Sequence, residues 1–214
     1  MSSRPDLRLN WCGYQAAEYA VRHWHYSQSM PTPPRVQVGV WEDDAFVGVV
    51  VFSRGAVQNI GRPFGLAQTA VAELTRVALR RHRTPVSRIL RVAVQLLQRR
   101  CPGLALLVSF ADPGHDHVGG IYQASNWFYL GRQAETVEFV APDGKQWHGR
   151  MVSKTGMKKV YGVYRKVLRT DQCTPVERCG KHRYIMPLDA AMRDKVSSLS
   201  KPYPIHSLPI EVQL

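Results

Sequence analysis

The chain has 214 residues, 44% of them hydrophobic and 21% charged, and this ordinary composition excludes a largely disordered protein. Its 29 Lys and Arg residues against 16 Asp and Glu residues give a net charge of +13. Eight arginines and no acid lie between positions 76 and 100, and eleven basic residues against two acids lie between 145 and 183. This distribution indicates a basic surface whose partner is a polyanion, nucleic acid above all. A basic protein without such a ligand is the alternative.

Targeting signals and cysteine patterns point to a reduced, cytoplasmic protein. No apolar run approaches the ~20 residues that a membrane-spanning helix needs, and the first ten residues lack the profile of a secretion signal. The four cysteines, at 12, 101, 173 and 179, are scattered and form no CxxC pair. A structural zinc site and a disulfide framework are therefore not expected.

Helical and strand patterns follow one another through the first half of the chain. An alanine-rich segment at 15–24 predicts a helix. Strands at 35–41 and 46–52 are expected to form a hairpin, and the second, a continuous apolar run, is expected in the centre of a sheet. A strand at 70–80 then leads through an arginine-rich loop into an amphipathic helix at 87–100.

The second half predicts a buried strand at 104–110 and a helix near 118–127 that Gly131 closes. A second hairpin, a basic helix or loop, a short strand and a small helix follow, at 135–152, 154–168, 183–188 and 189–196. The order of elements predicts a mixed α/β fold, with a central mixed sheet flanked by helices and no doubly wound alternation.

The loop RRHRTPVS connects the strand at 70–80 to the helix that follows it. The start of a helix exposes unpaired amides and the positive end of its dipole, which suits a phosphate group. The arginines around this start, and Ser87 within it, make a cofactor phosphate or a DNA backbone the expected ligand, and a solvated turn is the alternative. The residues concerned are Arg80, Arg81, Arg83, Ser87 and Arg88.

Two further groups of polar residues are candidates for chemistry. His25 and Tyr26 lie at the end of a helix, where imidazole and phenol groups can bind a metal or move protons, although such pairs also occur in ordinary packing. The turn DPGHDH follows a buried strand and contains Asp112, His115, Asp116 and His117. It is either part of a site or a polar turn in which Asp116 caps the next helix.

Charges within the strand at 70–80 and along the basic segment complete the set of candidates. Glu73 and Arg76 are three residues apart, so strand alternation puts them on opposite faces unless a bulge intervenes, and one of them is expected to point into a cleft. Lys154, Lys158 and Lys159 are spaced like a ridge that contacts phosphates, or like a solvated surface.

Four segments resemble the bacteriophage Mom family of DNA adenine modification proteins. They are RHWHYS at 22–27, AELTRVAL at 72–79, the loop with Ser87, and FADPGHDHVGGIYQASNW at 110–127. The resemblance spans about residues 10 to 170 and implies a fold related to the GNAT acyltransferases. It implies transfer of a carbamoylmethyl (also described as methylcarbamoyl) group to N6 of adenine in phage DNA, which shields the DNA from host restriction.

The resemblance also implies roles for individual residues. Catalytic roles fall on His25, Tyr26, Arg76, Ser87, Asp112 and Tyr122, and an iron ion is linked to His25 and Tyr26. The implied partner is double-stranded DNA in the host cytoplasm, with no membrane, and a homodimer is left open. Residues 1–170 are expected to form the GNAT-like catalytic domain and 171–214 an extension that packs on it.

One departure from the acyltransferase pattern concerns the group donor. The glycine-rich motif (Q/R)xxGx(G/A), started at Arg81, would have Thr84 and Val86 at its glycine positions. This disfavours acetyl-CoA and leaves the donor open. The alternatives are an acetyl-CoA-dependent N-acetyltransferase, a non-enzymatic DNA-binding module and, last, a metal-dependent nuclease that uses the DPGHDH turn.

Overall fold

The computed structural model describes residues 4–32, 35–55, 59–160 and 162–205. Gln58 and the last residues of the C-terminal segment, 206–214, lie outside the described residues. The described helices are α1 (Tyr14–Trp24), α2 (Val86–Arg100), α3 (Gly120–Gln123) and α4 (Ala190–Ser197).

The described strands are, in chain order, β1 (Leu7–Trp11), β2 (Arg35–Glu42), β3 (Ala45–Ser53), β4 (Val71–Leu79), β5 (Leu106–Ala111), β6 (Phe128–Arg132), β7 (Thr136–Val140), β8 (Gln146–His148), β9 (Val152–Ser153), β10 (Met157–Val160), β11 (Val163–Lys166), β12 (Leu168–Arg169), β13 (Thr174–Arg178) and β14 (His182–Pro187).

The chain divides into two compact units. The first comprises residues 1–111, 118–131 and 183–214, and the second comprises 112–117 and 132–182. The first unit is built on a seven-stranded mixed sheet of order β1-β2-β3-β4-β5-β14-β6. The predicted mixed α/β class is confirmed, and β14 from the C-terminal segment is one of the strands of this sheet.

The sheet of the first unit is covered on both faces by apolar side chains that recur at helical and strand periods. On one face, α1 packs Ala17, Ala20 and Val21 against β3 and β4. On the opposite face, α2 packs Ile89 and Leu90 against a larger cluster that includes residues of β2, β3 and β5. The predicted helices and the β2–β3 hairpin are confirmed. Asp43 and Asp44 at its turn both have positive φ, as a type I′ turn requires.

Strand β4 contains the irregularity that shapes the first unit. Its register against β3 shifts between Val51, which faces Arg76, and Phe52, which faces Leu74, so Thr75 is an extra residue in a β-bulge. On its other side, β4 pairs in parallel with β5 over three residues, from Val71 to Glu73. The paired register ends with Glu73 opposite Val108, beside the bulge, and the next link between the two strands is the hydrogen bond from Ser109 Oγ to the Leu74 carbonyl oxygen.

The second unit consists of short strands. Strands β13, β7 and β8 form a three-stranded antiparallel sheet, β9 pairs with β12, and β10 and β11 form a two-stranded sheet. The interpretation of 154–168 as a basic helix or loop was therefore wrong, since the segment contains the β10–β11 hairpin. Val160 and Val163 are β-branched and flank Gly162, whose φ is +83°, and this combination favours a hairpin over a helix here.

Three other details differ from the sequence predictions. β1 was not predicted, because its LRLNW pattern alternates over only five residues. The helix expected near 118–127 covers only the four residues of α3, and Gly131, which was expected to close that helix, lies within β6.

None of the helices in the described part of the chain combines the length and apolar composition needed to span a membrane.

Candidate functional site

The bulge at Thr75 brings Glu73 and Arg76 to the same face of the sheet. Glu73 faces Ser53 and Arg76 faces Val51, and these two β3 residues are two apart, so their partners share a face. This is the face on which α1 packs. Regular strand alternation would place Glu73 and Arg76 on opposite faces. The bulge at Thr75, which the sequence analysis named as the exception, places them on the same face.

Arg76 is held in place by hydrogen bonds at two of its nitrogens. Its Nε donates to the carbonyl oxygen of Ser29 at 3.0 Å, and its Nη1 donates to that of Thr75 at 2.7 Å. Burial lowers the pKa of Arg76, while the nearby Tyr26, Glu73 and Tyr122 act to raise it. The net effect is a pKa below the ordinary arginine value, and Tyr26, Glu73 and Tyr122 are near enough to the guanidinium to influence it electrostatically.

Tyr122 meets this group from α3. Its side chain is buried, and burial raises its pKa to about 12, with Tyr26 and Glu73 contributing in the same direction. Ser109 Oγ on β5 lies 2.7 Å from the Tyr122 hydroxyl oxygen and 2.7 Å from the Leu74 carbonyl oxygen. At neutral pH the Tyr122 hydroxyl is protonated, so it can give up a proton but cannot act as a base.

We refer to Tyr26, Glu73, Arg76, Ser109 and Tyr122 as the slot cluster, because these residues interact with one another beside the end of the β4–β5 pairing. All five belong to the first unit. The cluster combines one cation, one carboxylate and three hydroxyl groups, which is a set that can orient a polar substrate and exchange protons with it.

His25 and Tyr26 follow α1 directly and stack on each other, with ring centroids 4.3 Å apart. His25 Nδ1 lies 2.8 Å from Ser27 Oγ and accepts the Ser27 backbone N–H. In the described residues, no three His, Cys, Asp or Glu side chains are grouped to hold a metal ion. Two donors are fewer than the three protein ligands of a typical non-haem iron site, so the described residues do not fit an iron centre, and iron stays a prediction of the resemblance.

The start of α2 has an internal anion. The buried Glu42 carboxylate accepts the backbone N–H of Arg83 at 2.9 Å and that of Thr84 at 2.5 Å. Burial raises the pKa of Glu42, but the hydrogen bonds from Thr84 and Arg83 outweigh it and hold the pKa below the ordinary value. Of the expected phosphate ligands, Arg83 forms an ion pair with Asp43, and the Arg80 guanidinium lies over the Trp24 ring.

Ser87 and Arg88 lie elsewhere, on the wall of a groove of about 570 Å³ in the first unit. Arg91 and Arg193 also line this groove, and Arg81 and Arg83 do not. Trp127 forms part of its wall and packs against Tyr122, with ring centroids 5.2 Å apart. The volume suits a small organic ligand, and the three arginines favour an anionic one.

Asp112 belongs to the second unit, where it caps a short turn. Its carboxylate accepts the Gly114 N–H at 3.0 Å and forms an ion pair with Lys181 at 2.9 Å. Burial raises its pKa, and Lys181 together with the Gly114 amide lowers it further than that, so Asp112 is ionised. Asp116, expected to cap the next helix, instead has a left-handed backbone at the end of the turn, and α3 begins after Gly119 with no side-chain cap.

The lysines expected to contact DNA lie on and beside the β10–β11 hairpin. Lys154 is exposed, Lys158 donates to the Arg150 carbonyl oxygen at 2.5 Å, and the Lys159 ammonium lies 5.9 Å from the centre of the Tyr164 ring. Their catalytic or binding roles, like those of the other predicted site residues, stay predictions.

Three residues of functional interest were not assigned a role from the sequence. Glu73 was noted only as one of two charges in a strand, and Ser109 and Glu42 were not noted. A single polar residue within an apolar run, as in LALLVSF, is the signal that would have found Ser109. Glu42 carries no such signal, since its partners are backbone amides some forty residues later.

A curated protein and two solved structures are similar to this chain. Methylcarbamoylase Mom of Escherichia phage Mu is 25% identical over 206 residues, which is 93% of this chain and 84% of that protein. Among solved structures, an N-acyl amino acid synthase from uncultured soil microbes aligns with a TM-score of 0.47 and 12% identity over 86% of this chain and 91% of its own. A putative acetyltransferase from Acinetobacter baylyi aligns with a TM-score of 0.46 and 11% identity over 89% and 96%.

The family model described as the Mom protein family matches residues 6–205. This range contains every segment in which the motifs were found, including the bulged strand β4 and the IYQA turn of α3. The chain therefore belongs to the Mom protein family.

Proposed function

We propose that this protein is a DNA-modifying transferase that adds a methylcarbamoyl (carbamoylmethyl) group to N6 of adenine in double-stranded phage DNA and thereby protects it from host restriction. The observation that carries the proposal is the slot cluster, in which a bulge turns Glu73 and Arg76 to one face beside Tyr26 and Tyr122. The relative from phage Mu bears the name of this activity. The net charge of +13 favours a polyanionic substrate.

The chemistry of N6 defines what the cluster has to supply. The N6 lone pair is conjugated with the adenine ring, so the nitrogen needs help in losing a proton as it bonds to the donor carbon. In the proposed step the N6–carbon bond forms, the bond from that carbon to the leaving group breaks, and the N6 proton passes to the Glu73 carboxylate. Tyr122, protonated because its pKa is about 12, gives its proton to the leaving group.

Arg76 orients the donor in this scheme. Its guanidinium is fixed at Nε and Nη1 by two backbone carbonyls, so it can present its charge to the carbonyl oxygen of the transferred group without rearranging. The target base has to leave the duplex to reach a slot between two strands, as is usual for enzymes that act on a base. The groove lined by Ser87 and Arg88 is the proposed place for the donor, which stays chemically open.

An acetyl-CoA-dependent N-acetyltransferase is the less favoured reading of the same unit. A cofactor pyrophosphate in the loop before α2 would lie near the Glu42 carboxylate, which already accepts the backbone amides of Arg83 and Thr84. The Glu42 carboxylate would repel a second anion at these amides, so a pyrophosphate there is electrostatically unfavourable.

The proposal is tested by the nucleoside composition of DNA from cells that express the protein. Mass spectrometry of digested plasmid should show an adenine nucleoside that carries the added group. Arg76→Met and Tyr122→Phe should abolish it while the proteins stay folded, and Arg100→Met, at the exposed end of α2, should leave it unchanged. An unmodified adenine pool in the presence of soluble wild-type protein would refute the proposed function.

A further inference from the structure

The β10–β11 hairpin, residues 157–166, concentrates positive charge on a narrow ribbon. Its two strands pair antiparallel from Met157 opposite Lys166 to Val160 opposite Val163. The ten residues contain four cations, Lys158, Lys159, Arg165 and Lys166, and no acid. The ribbon therefore carries +4 within a length of about 13 Å, at about 3.3 Å for each of four paired residues.

The pairing places like charges against each other. Lys158 lies directly opposite Arg165, so the two share a face of the ribbon, while Lys159 and Lys166 lie on the other face. Like charges directly opposite in a ladder destabilise it. A row of phosphates along either face would remove this repulsion, because each anion would lie between or beside two cations.

The same ribbon exposes apolar and aromatic side chains next to its turn. Tyr164 is 66% exposed and Val163 is 59% exposed, one on each face. The Lys159 ammonium stands 5.9 Å from the centre of the Tyr164 ring, which keeps the ring close to a positive charge. Cations that flank an exposed aromatic ring are the combination that binds both parts of a nucleic acid, the phosphates and the base faces.

We propose that the β10–β11 hairpin enters a groove of duplex DNA, with its cations on the flanking phosphates and Tyr164 against the stacked bases. The inference rests on the proposed function for the identity of the substrate. The major groove, about 12 Å wide, admits a two-stranded ribbon. A base that leaves the stack exposes its face, on which an aromatic ring such as that of Tyr164 can stack.

The two parts of the hairpin have different signatures in a binding experiment. Fluorescence anisotropy with a labelled 30-base-pair duplex is measured for the full-length protein over a series of NaCl concentrations. Lys159→Ser/Lys166→Ser should lower the slope of log K against log [NaCl] by about 1.8, at about 0.9 for each lost phosphate contact. Tyr164→Ser should weaken binding at least about tenfold without changing the slope, and Tyr164→Phe should keep wild-type affinity.

Lys145→Ser is the matched control, because this exposed lysine of the second unit already pairs with Asp143 at 2.8 Å and should leave both affinity and slope unchanged. Wild-type affinity in Tyr164→Ser, or an unchanged slope in the double variant, overturns the inference. The binding result is independent of the nucleoside assay. If the hairpin variants bind as expected but the DNA stays unmodified, the transferase proposal is refuted and the hairpin interface is kept. If the DNA is modified but the hairpin variants have no effect on binding, the hairpin interface is refuted and the transferase proposal is kept.

Discussion

Replacement of Glu42 by alanine is expected to destabilise the protein and to open a phosphate site. The carboxylate is buried and receives the N–H groups of Arg83 and Thr84, so Glu42→Ala leaves two amide donors without their acceptor. At about 1–3 kcal/mol for each of the two unsatisfied donors, the loss is about 2–6 kcal/mol. At about 2–4 °C for each kcal/mol in a protein of this size, that corresponds to a decrease in Tm of about 4–24 °C in a thermal melt.

The pH dependence gives the sign of the Glu42 contribution. Its pKa in the folded protein is lower than the ordinary value of 4.5, so its stabilisation is complete above pH 4.5 and is lost as the pH falls through the folded-state pKa. The difference in Tm between wild type and Glu42→Ala should therefore be largest near pH 7 and shrink below pH 4.5. Glu42→Gln, which keeps one acceptor oxygen, should lose less at pH 7.

Thermal melts with pyrophosphate test whether the Glu42 carboxylate occupies the position that a phosphate group would take. In Glu42→Ala the freed amides and Arg83 can accept an anion, so millimolar pyrophosphate should raise the Tm of this variant more than that of wild type, relative to NaCl at equal ionic strength. Equal stabilisation of both proteins would show that the anion binds elsewhere and that Glu42 does not occupy the phosphate position. That result would refute the reasoning against a cofactor pyrophosphate at this loop.

Three other predictions concern single contacts. Gly119 has φ of +84° and an added Cβ would lie 2.3 Å from a buried tyrosine ring, so Gly119→Ala should lower the Tm sharply, whereas Gly120→Ala, with open space at its Cβ, should not. Tyr122→Phe should reduce the yield of modified adenine by about 100-fold or more with little change in Tm, if its proton is used. Lys181→Ala should raise the pKa of Asp112 toward its ordinary value, which a carbon-detected NMR titration of the carboxyl group measures.

The strongly periodic elements could be predicted from the sequence, and the short ones could not. Helix α2 has five buried apolar residues on one side over fifteen positions, so the spacing of its apolar residues alone predicts which side is buried. The β10–β11 hairpin has strands of four residues and a lysine-rich composition, and a local pattern of that length does not separate strand from loop. Strand β1 was missed for the same reason, since its pairing with β2 depends on residues some thirty positions away.

The motifs predicted which residues belong to the candidate site, but they did not predict how those residues are arranged in space. Glu73 and Arg76 stand on one face because Thr75 is unpaired in the ladder, and no spacing rule identifies which residue of a strand will bulge. Likewise, the arginines of the loop before α2 suggest a phosphate site, and only the folded chain reveals that Glu42 from β2 already occupies its amides. Long-range pairing decided both outcomes.

The arrangement in β4 has a physical cost that packing alone does not explain. A bulge interrupts a ladder in the centre of the sheet, and a carboxylate and a guanidinium are partly withdrawn from water beside it. Apolar residues in a regular strand would serve stability at least as well, since withdrawing a charged group from water costs free energy. Both features occur together where the pairing of β4 with β5 ends and where Ser109 connects the Tyr122 hydroxyl to the Leu74 carbonyl oxygen, which is the arrangement expected of a site that orients a polar substrate.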